Sequence, residues 1–217
     1  MSRVRGGTTR RSLLGMMGMM GMMGLTSLAA ALPTGTAWAG EVAASDEAAA
    51  PARAAPRYLL QGHDGRAVTP ESFKGRFQLV SFGFTSCPDV CPTTLLEMAQ
   101  VLTALGPRVR HVQPLFISVD PERDKLVVLK AYTEAFDKRI LGLTGSPALL
   151  RFAADNFKVT YTKVQEPGAA AGAYTMDHSA GMFLLGPDGQ LLAKVGYGTP
   201  VADIVSRIQG WLDKAGM

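Results

Sequence analysis

Apolar and polar positions along the chain change period several times, and each change predicts an element. Phe77, Leu79, Val80, Phe82 and Phe84 form an almost continuous apolar run, which predicts a strand over 77–84 buried on both faces. Leu95, Met98, Leu102 and Leu105 then recur at helical intervals, so a helix spans about 92–105 and stops at Gly106-Pro107. Val112, Leu115, Phe116, Ile117 and Val119 give a second buried strand. Leu126, Leu129, Tyr132 and Phe136 mark a helix of about 124–137, and Leu141-Gly142-Leu143 reads as a short strand. Ser146-Pro147 is an N-cap and first-turn pair for a helix through about Phe157.

The ends of the pattern are hairpins. His63-Asp64-Gly65-Arg66 has Asp-Gly turn chemistry, so 58–61 and 66–69 pair, and Thr69-Pro70 opens a helical turn reaching Gly75. Gly181 to Leu185 and Gln190 to Val195 flank the turn Gly186-Pro187-Asp188-Gly189 and form a second hairpin. Val201, Ile204, Val205, Ile208, Trp211 and Leu212 share one stripe of a closing helix over about 200–214. The pattern is weaker over 158–175, with a strand at Thr160 to Val164 and a small-residue loop from Glu166 to Gly172. Strand-helix-strand followed by an antiparallel hairpin and a terminal helix is the order of an α/β, thioredoxin-like fold, a mixed central sheet flanked by helices. The N-terminal hairpin and the 158–175 segment are additions to it.

Composition changes the picture at the N-terminus. Residues 1–39 resemble an export signal: Thr9-Arg10-Arg11-Ser12-Leu13-Leu14 is twin-arginine-like, no charge follows until Glu41, and Ala37-Trp38-Ala39 offers a small-x-small cleavage site. The uncharged stretch is also long enough to serve as a retained membrane anchor. Under either reading the remainder lies outside the cytoplasm, in the periplasm or at the outer face of the inner membrane. Residues 40–57, rich in Ala and Pro, read as a flexible linker, which leaves 58–217 as one domain. Removing 1–39 takes away four arginines and no acid, so the formal charge falls from +4 to zero. The basic character belongs to the leader, and nucleic acid is not an expected partner.

The chain has two cysteines, Cys87 and Cys91, between the first buried strand and its helix. In an exported protein the plain reading is a structural disulfide. A bridge across three residues closes a tiny loop and restrains little of the unfolded chain, so metal capture or redox exchange is favoured. The open N–H groups and positive dipole end of the helix favour thiolate over thiol. Soft thiolates select Cu(I), zinc or iron–sulfur clusters. Without a second cysteine pair the zinc and four-cysteine arrangements lack ligands, whereas Cu(I) accepts two thiolates and one imidazole. The imidazole comes from His63, in a predicted surface turn, from His111, beside Arg110, or from His178, just before the 181–185 strand. Methionine adds no thioether cage, since seven of the 11 lie in the leader and Met98 and Met182 read as core.

Phe82-Gly83-Phe84-Thr85-Ser86-Cys87-Pro88-Asp89-Val90-Cys91-Pro92, Val119-Asp120-Pro121-Glu122-Arg123-Asp124, Asp177-His178-Ser179 and Leu185-Gly186-Pro187-Asp188-Gly189 together resemble the signature blocks of the Sco/SenC family. The likeness covers most of 58–215. Ser86 departs from it, since family members often carry a histidine there. The resemblance implies a copper chaperone of cytochrome c oxidase assembly, with Cys87, Cys91 and His178 as ligands of Cu(I) and of a Cu(II) form. Asp120 is implied to lie in the surroundings of the metal. Its residue-level alternative is a strand-end residue capping the next helix. The implied partners are cytochrome c oxidase subunit II or another copper acceptor near the membrane, and a periplasmic copper donor or thiol reductant. The rival function is a thiol–disulfide oxidoreductase using the redox pair Cys87 and Cys91, although thioredoxins have two residues between their cysteines.

Overall fold

A computed structural model describes residues 55–165, 167–168 and 173–217. The expected leader and all but the last three residues of the expected linker lie outside these. Among the described residues no helix is long and apolar enough to cross a membrane. The described chain is already packed at Pro56, which is buried, and Arg57 N–H donates to Asn156 Oδ1 at 3.3 Å.

Nine strands and four α-helices follow. They are β1 (Leu60–Gly62), β2 (Ala67–Val68), β3 (Phe77–Gly83), α1 (Val90–Ala104), β4 (Val112–Ser118), α2 (Leu126–Phe136) and β5 (Leu141–Thr144). Then come α3 (Pro147–Phe157), β6 (Tyr161–Val164), β7 (Thr175–His178), β8 (Met182–Leu185), β9 (Leu191–Val195) and α4 (Val201–Lys214). Seven strands form one sheet in the order β2-β1-β5-β4-β3-β8-β9. β3, β4 and β5 are parallel, and β1 and β8 join them antiparallel on either side. This is the expected mixed, thioredoxin-like sheet, with the N-terminal hairpin continuing it beyond β5.

Alternation along the central strands sorts the core onto two faces. Val80 and Phe82 of β3, with Leu115 and Ile117 of β4, pack against Leu150, Ala153, Ala154 and Phe157 of α3. Phe77 and Leu79, with Val112 and Phe116, face Leu95, Met98 and Leu102 of α1, Leu129 of α2 and Ile204 and Ile208 of α4. Because both faces are covered, the strands read as near-continuous apolar runs rather than alternating ones.

Two local expectations change. Helix α1 starts at Val90, two residues before the expected start at about 92, which puts Cys91 inside its first turn. Pro92 is tolerated there because first-turn N–H groups have no helical partner. The loop expected over 166–172 lies largely outside the described residues, but the strand expected at 160–164 is present and a second, unexpected strand follows at 175–178. β6 and β7 pair antiparallel in a ribbon whose strands belong to no other sheet, and His178 is its last residue, opposite Tyr161.

Candidate metal centre

The three central strands are parallel, so the chain leaves β3 and β4 at the same edge of the sheet, and the two cysteines sit there. After β3, Phe84 turns the chain, and Cys87 N–H donates to Phe84 O at 3.3 Å. Asp89, at the N-cap of α1, makes no side-chain cap bond, whereas Cys91 N–H donates to Cys87 Sγ at 3.5 Å. A sulfur therefore accepts one of the open N–H groups of the helix start. Cys87 is half-buried and Cys91 is buried, and both are free thiols. Gly83 makes room for the second sulfur: a Cβ there would lie 2.8 Å from Cys91 Sγ and 2.7 Å from the Phe116 ring.

His178 reaches this turn from the ribbon. Its Nε2 lies 3.3 Å from Cys91 Sγ, and its Nδ1 lies 3.0 Å from Ser179 O. A carbonyl oxygen only accepts, so Nδ1 carries the proton and the Nε2 lone pair faces the sulfurs. Phe84 stands edge-on to the imidazole at 5.9 Å between centroids and fixes the ring plane further. The ligand atoms of Cys87, Cys91 and His178 all lie within 4.8 Å of one another, the spacing of a group that can hold one metal ion.

Burial pushes the Cys91 thiol up, and the neighbouring Cys87 and Asp124 add to the rise; the Phe84 backbone works against it. The expectation of a thiolate at the helix start is thus reversed at Cys91. Desolvation in the closed interior outweighs the partial charge of one helix end. In the metal-free protein the Cys91 S–H donates to His178 Nε2, and a soft cation that enters must displace that proton.

The other histidines lie elsewhere. His63 is half-buried rather than solvated: its Nδ1 accepts Gly142 N–H at 3.2 Å, and it lines a cavity of about 420 Å3 with Arg66, Lys138 and Arg139. His111 ends a short 3-10 helix and accepts from Arg110 Nε at 3.0 Å. Ser86 is exposed.

Asp120 is buried at 2% exposure, and its partners come from its own loop and from the base of the ribbon. Oδ2 pairs with Arg123, and Oδ1 accepts Tyr174 O–H at 2.8 Å. Arg123 also donates to Tyr174 O at 2.9 Å, with its guanidinium 3.8 Å from the Tyr174 ring centroid. Asp120 does not cap α2, whose N-cap is Lys125. It ties the start of β7, and so the strand that carries His178, to the end of β4. Lys163 of β6 adds a second tie to Glu122 at 2.7 Å.

The comparisons with known proteins agree with this arrangement. The SCO1/SenC family model matches residues 46–213, more than three quarters of the chain. The chain belongs to the SCO1/SenC family. It is 38% identical over 154 residues to the mitochondrial SCO2 homolog of Mus musculus, covering 70% of this chain and 60% of that protein, less than two thirds of its length. Arabidopsis thaliana ScoI with copper bound superposes with a TM-score of 0.68 at 31% identity, over 74% of this chain and 99% of that one. Bradyrhizobium japonicum ScoI with copper bound gives 0.66 at 37% identity, over 72% and 98%.

Residues that sequence reasoning passed over are Gly83, Tyr174 and Asp124. Gly83 stood inside the first signature block, and only the approach of Cys91 Sγ shows what its missing Cβ is for. Tyr174 and Asp124 act across 54 and 39 residues of chain, on Asp120 and Thr85 respectively, and no local period reports such a pairing.

Proposed function

We propose that this SCO1/SenC protein binds copper through Cys87 Sγ, Cys91 Sγ and His178 Nε2, and passes it outside the cytoplasm to the binuclear copper site of cytochrome c oxidase subunit II. The observation that carries the reading is the meeting of two sulfurs and one imidazole lone pair within 4.8 Å, in a chain similar to copper-bound Sco structures. Two thiolates and one neutral imidazole form a soft set that suits Cu(I). Cu(I) with two thiolates carries a net negative charge, which the start of α1 offsets in part. Cys87 is the accessible sulfur, so an acceptor thiolate approaches on its side and copper moves by exchange of one ligand at a time. The twin-arginine-like leader and its signal cleavage belong to the same proposal, as do a membrane-proximal acceptor and a periplasmic copper donor.

The second reading rests on the same asymmetry of the thiols. Cys87 is accessible and its sulfur accepts a helix-start N–H, while Cys91 lies buried behind it. In that reading Cys87 thiolate attacks a partner's disulfide and releases one partner thiol. Cys91 then displaces the second, leaving a Cys87–Cys91 disulfide and a reduced partner.

Anaerobic Cu(I) titration against a competing chelator, run beside a dithiol-reductase assay, separates the two. Copper chaperoning predicts one Cu(I) per chain, abolished by Cys87→Ser or Cys91→Ser and weakened by His178→Ala, with the loss greater for Cu(II). Unchanged copper stoichiometry in Cys87→Ser protein would end it.

A further inference from the structure

The cysteine turn is held by a buried acid that the proposed copper site does not use. Asp124 is 1% exposed and lies between the ends of β3 and β4. Its Oδ2 accepts Thr85 N–H at 3.0 Å and Ser118 O–H at 2.6 Å, and its Oδ1 accepts Thr85 O–H at 2.6 Å. Ser118 Oγ also accepts Asp120 N–H at 3.0 Å, so one hydroxyl joins the Asp124 carboxylate to the end of β4. Three donated hydrogen bonds are what an ionised carboxylate takes. Among the described residues no lysine, arginine or histidine forms an ion pair with it. A buried charge without an opposite partner is costly to keep. A hydrogen-bonded neutral side chain would fix the same turn, so the charge itself needs a reason.

Place supplies one. Thr85 is two residues before Cys87, and Gly83, whose O accepts Val119 N–H at 2.8 Å, lies where an added Cβ would meet Cys91 Sγ at 2.8 Å. Asp124 thus pins the backbone from which both sulfurs are presented. Its carboxylate is hydrogen-bonded to Thr85 inside the buried end of the sheet, two residues of chain from Cys87. A negative charge beside that turn favours a cation there, and favours a doubly charged cation more than a singly charged one. We infer that Asp124 is a positioning residue for the cysteine turn and the fixed negative charge that stabilises Cu(II) relative to Cu(I) in the Cys87–Cys91–His178 site. This rests on the copper reading above and adds a group that sets which oxidation state the site prefers.

Three variants of the full-length protein separate charge from geometry. Asp124→Asn removes the charge at nearly constant shape, whereas Thr85→Val and Ser118→Ala remove hydrogen bonds and keep it. Dissociation constants for Cu(I) and for Cu(II) are measured on each, with wild type as control. Asp124→Asn should lose about tenfold more affinity for Cu(II) than for Cu(I), which raises the Cu(II)/Cu(I) potential by about 59 mV. Thr85→Val and Ser118→Ala should weaken both ions by similar factors and leave the potential in place. A copper-free readout compares the rates at which an anionic and a neutral aromatic disulfide react with the reduced cysteines. Their ratio cancels any change in thiolate fraction, and it should rise about threefold in Asp124→Asn. Equal losses for both copper ions with an unchanged reagent ratio would overturn the electrostatic role. If Asp124→Asn does not fold by circular dichroism, Thr85→Val and Ser118→Ala decide, and affinities within twofold of wild type overturn the positioning role. Wild-type protein that binds no copper would end the chaperone reading, and the reagent ratio would still test the charge.

Discussion

Replacing Gly83 by alanine should damage the site through packing alone. The backbone there needs no left-handed conformation, so a methyl group adds volume without backbone strain. That methyl would meet Cys91 Sγ at 2.8 Å and Phe116 Cε2 at 2.7 Å, with Phe116 Cζ at 3.0 Å. Comfortable carbon contacts lie at roughly 3.5–4.0 Å, so the neighbours must yield by about 1 Å. Phe116 is fully buried between β4 and α2, so much of the movement falls on the sulfur. Overpacking of this kind costs about 1–3 kcal/mol, or roughly 2–4 °C of Tm per kcal/mol for a domain of this size. Metal–ligand distances tolerate only about 0.2 Å, so a displaced sulfur should also cost at least about tenfold in Cu(I) affinity. Urea unfolding of the copper-free protein measures the first effect, and anaerobic chelator competition the second. Combining Gly83→Ala with Cys91→Ala should recover part of the lost stability, because the clash with sulfur is gone. A single Gly83→Ala variant within about 0.5 kcal/mol of wild type and equal to it in Cu(I) affinity would refute the close approach.

Further outcomes follow from the same geometry. Oxidation of Cys87 and Cys91 to a disulfide should abolish Cu(I) binding, and reduction should restore it, as read by copper stoichiometry before and after a non-chelating reductant. Burial holds the His63 imidazole below its ordinary range, with Glu134 opposing and Lys130 assisting, while its Nδ1 accepts Gly142 N–H. The unfolded chain then takes up the proton first, so stability should be complete above pH of about 6.5 and decline as the pH falls below it. His63→Gln should flatten that decline in urea midpoints measured from pH 8 to 5. Tyr174→Phe removes a hydroxyl that donates to buried Asp120 at 2.8 Å, and should cost about 0.5–1.5 kcal/mol in the same assay.

Much of this architecture was legible because both sheet faces are covered. Continuous apolar runs marked β3, β4 and β8, and helical stripes marked α2, α3 and α4 to within two residues. The start of α1 was less legible because Val90-Cys91-Pro92 continues no apolar stripe, so the period begins later than the helix. The strand at 160–164 was expected and is β6, but β7 and its pairing with β6 escaped for a similar reason. The ribbon's residues are mostly half-buried or exposed, which leaves little periodicity to read, and small residues separate its strands. Cys87, Cys91 and His178 could be named from the sequence, but their meeting depends on that ribbon. The helix end that favours a thiolate is visible in the sequence, whereas the burial of Cys91, which opposes it, is not.

The two-stranded arm has a thermodynamic consequence for the imidazole it bears. Its ladder hydrogen bonds run only between Tyr161–Val164 and Thr175–His178, so lifting it away breaks no rung of the seven-stranded sheet. The toll is the ties of Asp120 and Arg123 to Tyr174 and of Glu122 to Lys163, with the packing of Tyr161 and Met176 against the core. Subglobal opening that withdraws the nitrogen donor is therefore far less demanding than unfolding the domain, and amide exchange in the arm should be governed by its own equilibrium.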